Sequence, residues 1–227
     1  MLIDILSLFP GYFQGPLDES IIKRAREKGI LNIRLTNIRD FAENRHRRTD
    51  DRPYGGGPGM VMTPQPAVAA IRYVKTEQSH VVYLSPQGKP LKAAKCRELA
   101  AKEHLILLCG HYEGMDQRVI DLEVHEEISI GDYVLLNGCL AAAVLLEGVV
   151  RFVPGVLGNQ LSAAEDSFEN ERLLGCEHYT RPEVFEGLQV PSILLSGNHE
   201  KIRKWQLSQA EKKTRKVRPD LLDKELD

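Results

Sequence analysis

HVVYLSPQGKPLKAAKCRELAAKEHLILLCG, residues 80–110, reads as strand, helix, strand. HVVYLSP (80–86) and HLILLCG (104–110) are near-continuous apolar runs, the pattern of strands buried on both faces of a parallel sheet. PLKAAKCRELAAK (90–102) between them is helix-like. The same alternation extends outward. LIDILSLF (2–9), ILNIRLTNI (30–38) and the shorter EISI (127–130) are further strands. DESIIKRAREKG (18–29), PQPAVAAIRYVK (64–75), MDQRVIDLEV (115–124) and an alanine- and leucine-rich run from about Cys139 to Phe152 are helices. Strands alternating with helices of this length predict an α/β domain built on a mostly parallel sheet with flanking helices.

The pattern changes at Pro154. PGVLGNQLSAAEDSFENE (154–171) has no clear period and reads as a linker. Beyond it, turns precede a helix that starts after Ser196-Gly197-Asn198, with Ile202, Trp205 and Leu207 expected on its packed face. The expected division is therefore a first domain over 1–154, a linker over 155–171, and a small, mainly helical domain over 172–227.

Hydrophobic residues make up 42% and charged residues 27%, the balance of a soluble globular protein. The opening MLIDILSLFPGYF is too short, and charged too early at Asp4, for a signal peptide or membrane span, so a cytoplasmic protein without membrane association is expected. Cys96, Cys109, Cys139 and Cys176 are widely spaced without a C-x-x-C pair, so reduced, structural thiols are expected. Net charge is only −2, yet the segment from His199 to Arg218 carries +6 and leaves −8 on the remainder. That asymmetry points to a polyanionic partner for one end.

Three strand ends are polar and small: YLSPQGKP (83–90), CGHYEGMD (109–116) and SIGDYVLLNGC (129–139). In open parallel sheets the ligand site lies beyond the carboxyl ends of the strands, so the three together are expected to line one pocket that reads a flat heterocycle by main-chain hydrogen bonds. There is no G-x-G-x-x-G after the first strand and no G-x-x-x-x-G-K-[ST], which argues against dinucleotide and P-loop sites. His111, Glu113 and Asp116 match no familiar zinc spacing, and hydrogen bonds within a turn explain them equally well. No metal site is predicted. Glu165 and Asp166 in the linker, with Arg151 ending the long helix, offer an acid and a cation for proton abstraction and charge stabilisation. Spacing alone equally allows a capping acid and a helix-terminal arginine. RPYGGGPGM (52–60) mixes glycine with proline and reads as a loop of definite shape.

Taken together, RPYGGGPGM, YLSPQG, CGHYEGMDQRV, SIGDYVL, VVRFVPGVLGN, AAEDSF, HYTRPEVFEG and LLSGNHEKIRKW resemble the bacterial tRNA (guanine-37-N1)-methyltransferases of the knotted (SPOUT) methyltransferase class, along essentially the whole chain. The resemblance implies a homodimer that methylates N1 of guanine-37, next to the anticodon, using S-adenosylmethionine held in a trefoil-knotted domain. It places the cofactor at Tyr83, Leu84, Ser85 and Pro86, at Gly110, Tyr112 and Glu113, and at Ser129, Ile130, Gly131, Asp132, Tyr133, Val134, Leu135 and Gly138. It assigns Asp166 as general base and Arg151 as the group that stabilises charge at guanine O6. Gly59 would give clearance to the incoming base, and Lys201, Arg203 and Lys204 would grip the anticodon arm of the tRNA. Magnesium use is also implied, without a ligand set in the sequence to hold it unaided. After DYVL the family reads Ser/Thr-Gly-Gly-Glu, where this chain has Leu136-Asn137-Gly138-Cys139. Asn137 is expected to tolerate a left-handed backbone, whereas Cys139 cannot replace a capping carboxylate, so weakened cofactor binding is expected. The competing expectation is an RNA-binding relative that has lost methyl transfer.

Overall fold

The computed structural model describes residues 1–158, 166–168 and 172–222. The chain forms two compact units, Met1–Gly158 and Asn159–Asp227. Much of the predicted linker over 155–171, including Glu165, lies outside the described residues.

The first unit is built on five parallel strands: β1 (Leu2–Ser7), β2 (Asn32–Asn37), β5 (Ser79–Pro90), β6 (His104–Cys109) and β7 (Glu126–Ser129), in the order β2-β1-β6-β5-β7. Helices α1 (Ser20–Glu27), α2 (Pro64–Val74), α3 (Ala93–Ala100), α4 (Gln117–Glu123) and α5 (Cys139–Val150) connect and cover them. A small antiparallel pair, β3 (Asp50–Asp51) and β4 (Val61–Met62), brackets RPYGGGPGM.

Alternation along the buried strands sorts the core into two layers. Ile3, Ile5, Leu105, Leu107 and Leu84 face the side packed by α1, α3 and α5. Leu6, Val81, Ile106 and Leu108 face the side packed by α2 and α4. Every residue of β6 is buried, as its unbroken apolar run requires, and each such Leu or Ile contributes about 1.5–3 kcal/mol by leaving water. The early charge at Asp4 belongs to this core. Its fully buried carboxylate meets His104 Nε2 at 2.7 Å and accepts from Arg34 Nε at 2.8 Å, while Ser79 Oγ lies 2.8 Å from His104 Nδ1.

The largest difference from expectation among the strands lies at YLSPQGKP. YLSPQGKP is not a simple strand-to-helix turn: β5 runs on to Pro90, with Leu84 and Lys89 both opposite Ile128 and residues 85–88 bulged out between them. Gly88 makes that detour feasible, because a Cβ there would lie 2.5 Å from the backbone carbonyl carbon of Glu127. Helix α3 consequently starts at Ala93 instead of Pro90.

The second unit contains a β-hairpin, β8 (Val184–Phe185) with β9 (Leu188–Gln189), a short helix α6 (Ser192–Leu195) and the long α7 (His199–Val217). The hairpin turns through Glu186 and Gly187, both at positive φ. Asn198 caps α7 by accepting from the Lys201 N–H at 3.1 Å. Trp205 and Ile202 are half-buried, but Leu207 is exposed and not part of the packed face. The less exposed stripe of α7 runs through Ile202, Gln206, Ala210 and Thr214 at four-residue spacing.

Candidate functional site

The carboxyl ends of β5, β6 and β7 converge on one cavity of about 260 Å³, near the lower end of the roughly 300–1,000 Å³ typical of small-molecule sites. All three polar strand ends contribute to its wall. Tyr83, Leu84, Ser85 and Pro86 come from β5, Gly110, Tyr112 and Glu113 follow β6, and Ser129, Ile130, Gly131, Tyr133, Val134, Leu135 and Gly138 follow β7. Asp132, expected among them, does not line the cavity; its neighbours Gly131 and Tyr133 do. His111, Gly114, Ile128, Leu136, Asn137 and Ala141 line it in addition. Most of these sit inside the same three segments, so position was the signal for them. Ala141 enters only because the first turn of α5 packs against the end of β6.

Local chemistry shapes the wall. Tyr112 holds a left-handed φ of +59° and its ring meets His111 edge-on at 4.3 Å, while Phe9 flanks His111 from another direction at 5.0 Å. Burial pushes the Tyr83 hydroxyl up to about 12, with Glu127 and Cys109 adding to the shift, so this phenol remains a neutral hydrogen-bonding group. The wall mixes apolar side chains such as Leu84, Ile128, Ile130 and Leu135 with polar ones such as Ser85, Tyr112 and Asn137, and among the described residues Glu113 is its one carboxylate.

RPYGGGPGM is docked against this wall. Gly55, Gly56, Gly57 and Gly59 all have positive φ, giving the loop a fixed path. Glu113 N–H donates to Met60 O at 3.0 Å, and Met62 N–H donates to Gly114 O at 2.9 Å, so the loop's end is stitched to the turn after β6. A Cβ on Gly59 would lie 2.5 Å from Glu113 Cγ. The clearance at Gly59 is thus first of all clearance for a cavity-lining carboxylate.

The Leu136–Cys139 segment is also internally satisfied. Asn137 does not adopt a left-handed backbone; its side-chain oxygen accepts from the Cys139 N–H at 2.9 Å across Gly138, the residue at the N-cap of α5. Cys139 points inward, with Sγ 3.1 Å from Ser7 Oγ.

Asp116 caps α4 through the Arg118 N–H at 3.0 Å and pairs with the Arg118 guanidinium, whose hydrogen bonds hold its carboxyl below the usual range. It is therefore engaged in the turn. Among the described residues no group of three or more His, Cys, Asp or Glu is placed to hold a metal. Arg151 forms the C-terminal cap of α5 in the first unit. In the second unit, Asp166 Oδ1 accepts from the Ser167 N–H at 2.8 Å, and Ser167 Oγ accepts from the Gly175 N–H at 2.8 Å. Lys201, Arg203 and Lys204 are exposed on the first turns of α7, Lys204 bridging to Glu200 at 2.8 Å.

Residues 1–224 match the family model described as tRNA (Guanine-1)-methyltransferase TrmD. The chain belongs to this family. It is 69% identical to a tRNA (guanine-N(1)-)-methyltransferase of Protochlamydia amoebophila, across 98% of this chain and 100% of that one. A relative of the same name from Carboxydothermus hydrogenoformans is 54% identical, covering 98% of this chain and 87% of its own. The Chlamydia pneumoniae relative is 58% identical across 97% of this chain, which spans 61% of that longer protein.

Proposed function

We propose that this chain is a tRNA (guanine-N1)-methyltransferase that transfers the methyl group of S-adenosylmethionine to N1 of guanine-37, acting as a cytoplasmic homodimer. The observation that carries this reading is the single cavity formed by three polar strand ends, in a chain matched to the family over 1–224. In this proposal residues 1–154 form the knotted cofactor domain, 155–171 the linker and 172–227 the domain that holds the anticodon arm. The knot is supported by topology. β7 lies at the sheet edge beside β5, yet α5, which follows it, returns to pack on α3 and β6, and Gly138 N–H donates to Gly110 O at 2.8 Å.

When bound, S-adenosylmethionine supplies an electrophilic methyl on a positively charged sulfur. Glu113 complements that charge, and the main chain around Gly110, Gly131 and Gly138 approaches the base and ribose. Guanine N1–H is a weak acid, so a base alone is insufficient. Asp166 takes the proton while Arg151 steadies the negative charge that delocalises onto O6. No enzyme nucleophile is needed. Magnesium is not assigned to protein ligands. Self-association is supported by Leu136, Leu140 and Val144, which are 88%, 53% and 49% exposed at four-residue spacing, an apolar stripe running onto α5. No helix among the described residues is long and apolar enough to cross a membrane.

The competing reading, an RNA-binding relative without activity, has no support from the relatives, which are named methyltransferases and match across 98% of this chain. Incubation with labelled S-adenosylmethionine and unmodified tRNA should place label at guanine-37. Asp166→Ala should lower turnover by about 10²-fold or more while S-adenosylmethionine still binds. Absence of label in tRNA that demonstrably binds would refute the enzyme, and sustained turnover by Asp166→Ala would refute the base.

A further inference from the structure

Thr214 is a polar residue near the end of α7, and it is fully buried. Threonine is a poor helix former whose hydroxyl competes with the backbone, so a buried one needs a partner beyond its own helix. Its hydroxyl donates to Ala210 O at 2.7 Å, one turn back, and the same oxygen accepts from the Leu174 N–H at 2.9 Å. Leu174 lies in a short stretch folded against residues 167 and 168. Phe168 N–H donates to Leu173 O at 3.0 Å, and Gly175 N–H donates to Ser167 Oγ at 2.8 Å. Ser167 N–H in turn donates to Asp166 Oδ1 at 2.8 Å. The fit is close: a Cβ on Gly175 would lie 3.3 Å from Ser167 Oγ. Phe168 holds a left-handed φ of +69°, which a bulky side chain adopts only where its surroundings impose it. A continuous run of contacts therefore joins Asp166 to the inner face of α7, all within the second unit.

We propose that Thr214 is a positioning residue for methyl transfer: through Leu174, Gly175 and Ser167 it fixes the segment that carries Asp166, tying the base to the basic helix. This role rests on Asp166 being the general base, as proposed above. A base works only within hydrogen-bond reach of the proton it takes, and a misplacement of about 1 Å can cost on the order of 10²-fold in rate. Thr214 touches no substrate, since its hydroxyl is buried and bonds only to backbone. On either side of it Lys212, Lys213, Arg215 and Lys216 are exposed. The last turns of α7 thus present cations outward, toward the phosphates of a bound tRNA, while holding the base-bearing segment on their inner side. Exchanging the hydroxyl for a methyl group leaves the Leu174 N–H without its acceptor, so the 173–175 stretch must shift or admit water. Serine keeps the acceptor and serves as the conservative control.

The test compares full-length native, Thr214→Val and Thr214→Ser chains in single-turnover methyl transfer to unmodified tRNA, with amide hydrogen exchange on the same samples. In Thr214→Val the Leu174 and Gly175 amides should lose protection, and the rate at saturating tRNA and S-adenosylmethionine should fall about tenfold. The dissociation constant for tRNA should stay at its native value, and Thr214→Ser should restore both rate and protection. Asp166→Ala and the double variant Asp166→Ala/Thr214→Val should share one residual rate, because a segment without its base has nothing left to position. Ser167→Ala cuts the same run one step nearer the carboxylate and should reproduce the loss of rate; it takes the place of Thr214→Val if that variant does not fold. Faster exchange with a native rate, a loss that serine does not rescue, or a loss confined to tRNA affinity would overturn the proposal. Native turnover by Asp166→Ala would refute the base, and the positioning role with it. A native rate in Thr214→Val beside an inactive Asp166→Ala would refute the positioning role alone.

Discussion

Gly59 shows how one missing side chain can serve a binding wall. It combines a φ of +82° with a Cβ position already occupied by Glu113. Gly59→Ala would impose left-handed strain of about 1–2 kcal/mol and push the Glu113 carboxylate aside. For a chain of this size the expected fall in melting temperature is about 2–8 °C, measured by calorimetry. Because Glu113 lines the cavity, S-adenosylmethionine affinity should fall by several-fold as well. A variant with native melting temperature and native affinity would show that the loop has room to yield. His111 teaches a related lesson from the other side of the turn: its Nδ1 is buried without a hydrogen-bond partner, and its ring is held by Phe9 and Tyr112 instead.

At the level of elements, α2 and α4 are joined by a charged staple over the sheet. Glu123, nearly buried, accepts from Arg72 Nε at 2.6 Å and Lys75 Nζ at 2.8 Å. Burial alone would raise the Glu123 carboxyl, but the bonds from Lys75 and Arg72 outweigh it and hold it below its usual 4.5. A carboxyl lowered in the folded state contributes stability that is present above about pH 4.5 and lost as pH falls through its folded value. Glu123→Gln should therefore cost about 1 kcal/mol in urea unfolding at pH 7, the exposed side of the network being screened, and much less near pH 3. An equal deficit at both pH values would remove the ion pairs from the account. Elements like these were legible wherever the sequence repeats a local rule: the unbroken apolar run of β6, the strand-helix alternation, and Asn198 at the start of α7. The 85–88 bulge and the β8–β9 hairpin were not, since Gly88 answers to backbone on the neighbouring strand and Glu-Gly is a weaker turn signal than Asn-Gly. The same divide runs through the candidate site. Strand-end segments located its wall, but the contribution of Ala141 depends on how the start of α5 approaches the end of β6, where Gly138 N–H donates to Gly110 O.

On the scale of the whole molecule, charge is segregated so that each unit suits a different ligand. The wall of the cavity in the first unit includes a single carboxylate, Glu113, and no Lys or Arg among the described residues, whereas α7 and the residue after it carry eight Lys or Arg against two acids. Only Ala210 and Thr214 of that helix are fully buried, leaving its basic surface solvated and open to phosphate. Lys201 and Arg203 are exposed at its start, and Lys204 is only loosely engaged by Glu200, an exposed pair worth little in water. Under the proposed function these three side chains displace counterions from the anticodon arm, which contributes affinity that falls as salt rises. Replacing all three with Ala should weaken tRNA binding at least tenfold near 0.1 M salt, about 1.4 kcal/mol. The plot of log association constant against log salt should flatten by about 0.7–0.9 for each phosphate that is no longer neutralised, roughly 2 in total. S-adenosylmethionine affinity, measured in parallel, should stay at its native value because none of the three lines the cavity. A salt slope identical to that of the native chain would make this end of α7 a solvated surface and move the tRNA-binding role to Lys212, Lys213, Arg215 and Lys216 further along the helix.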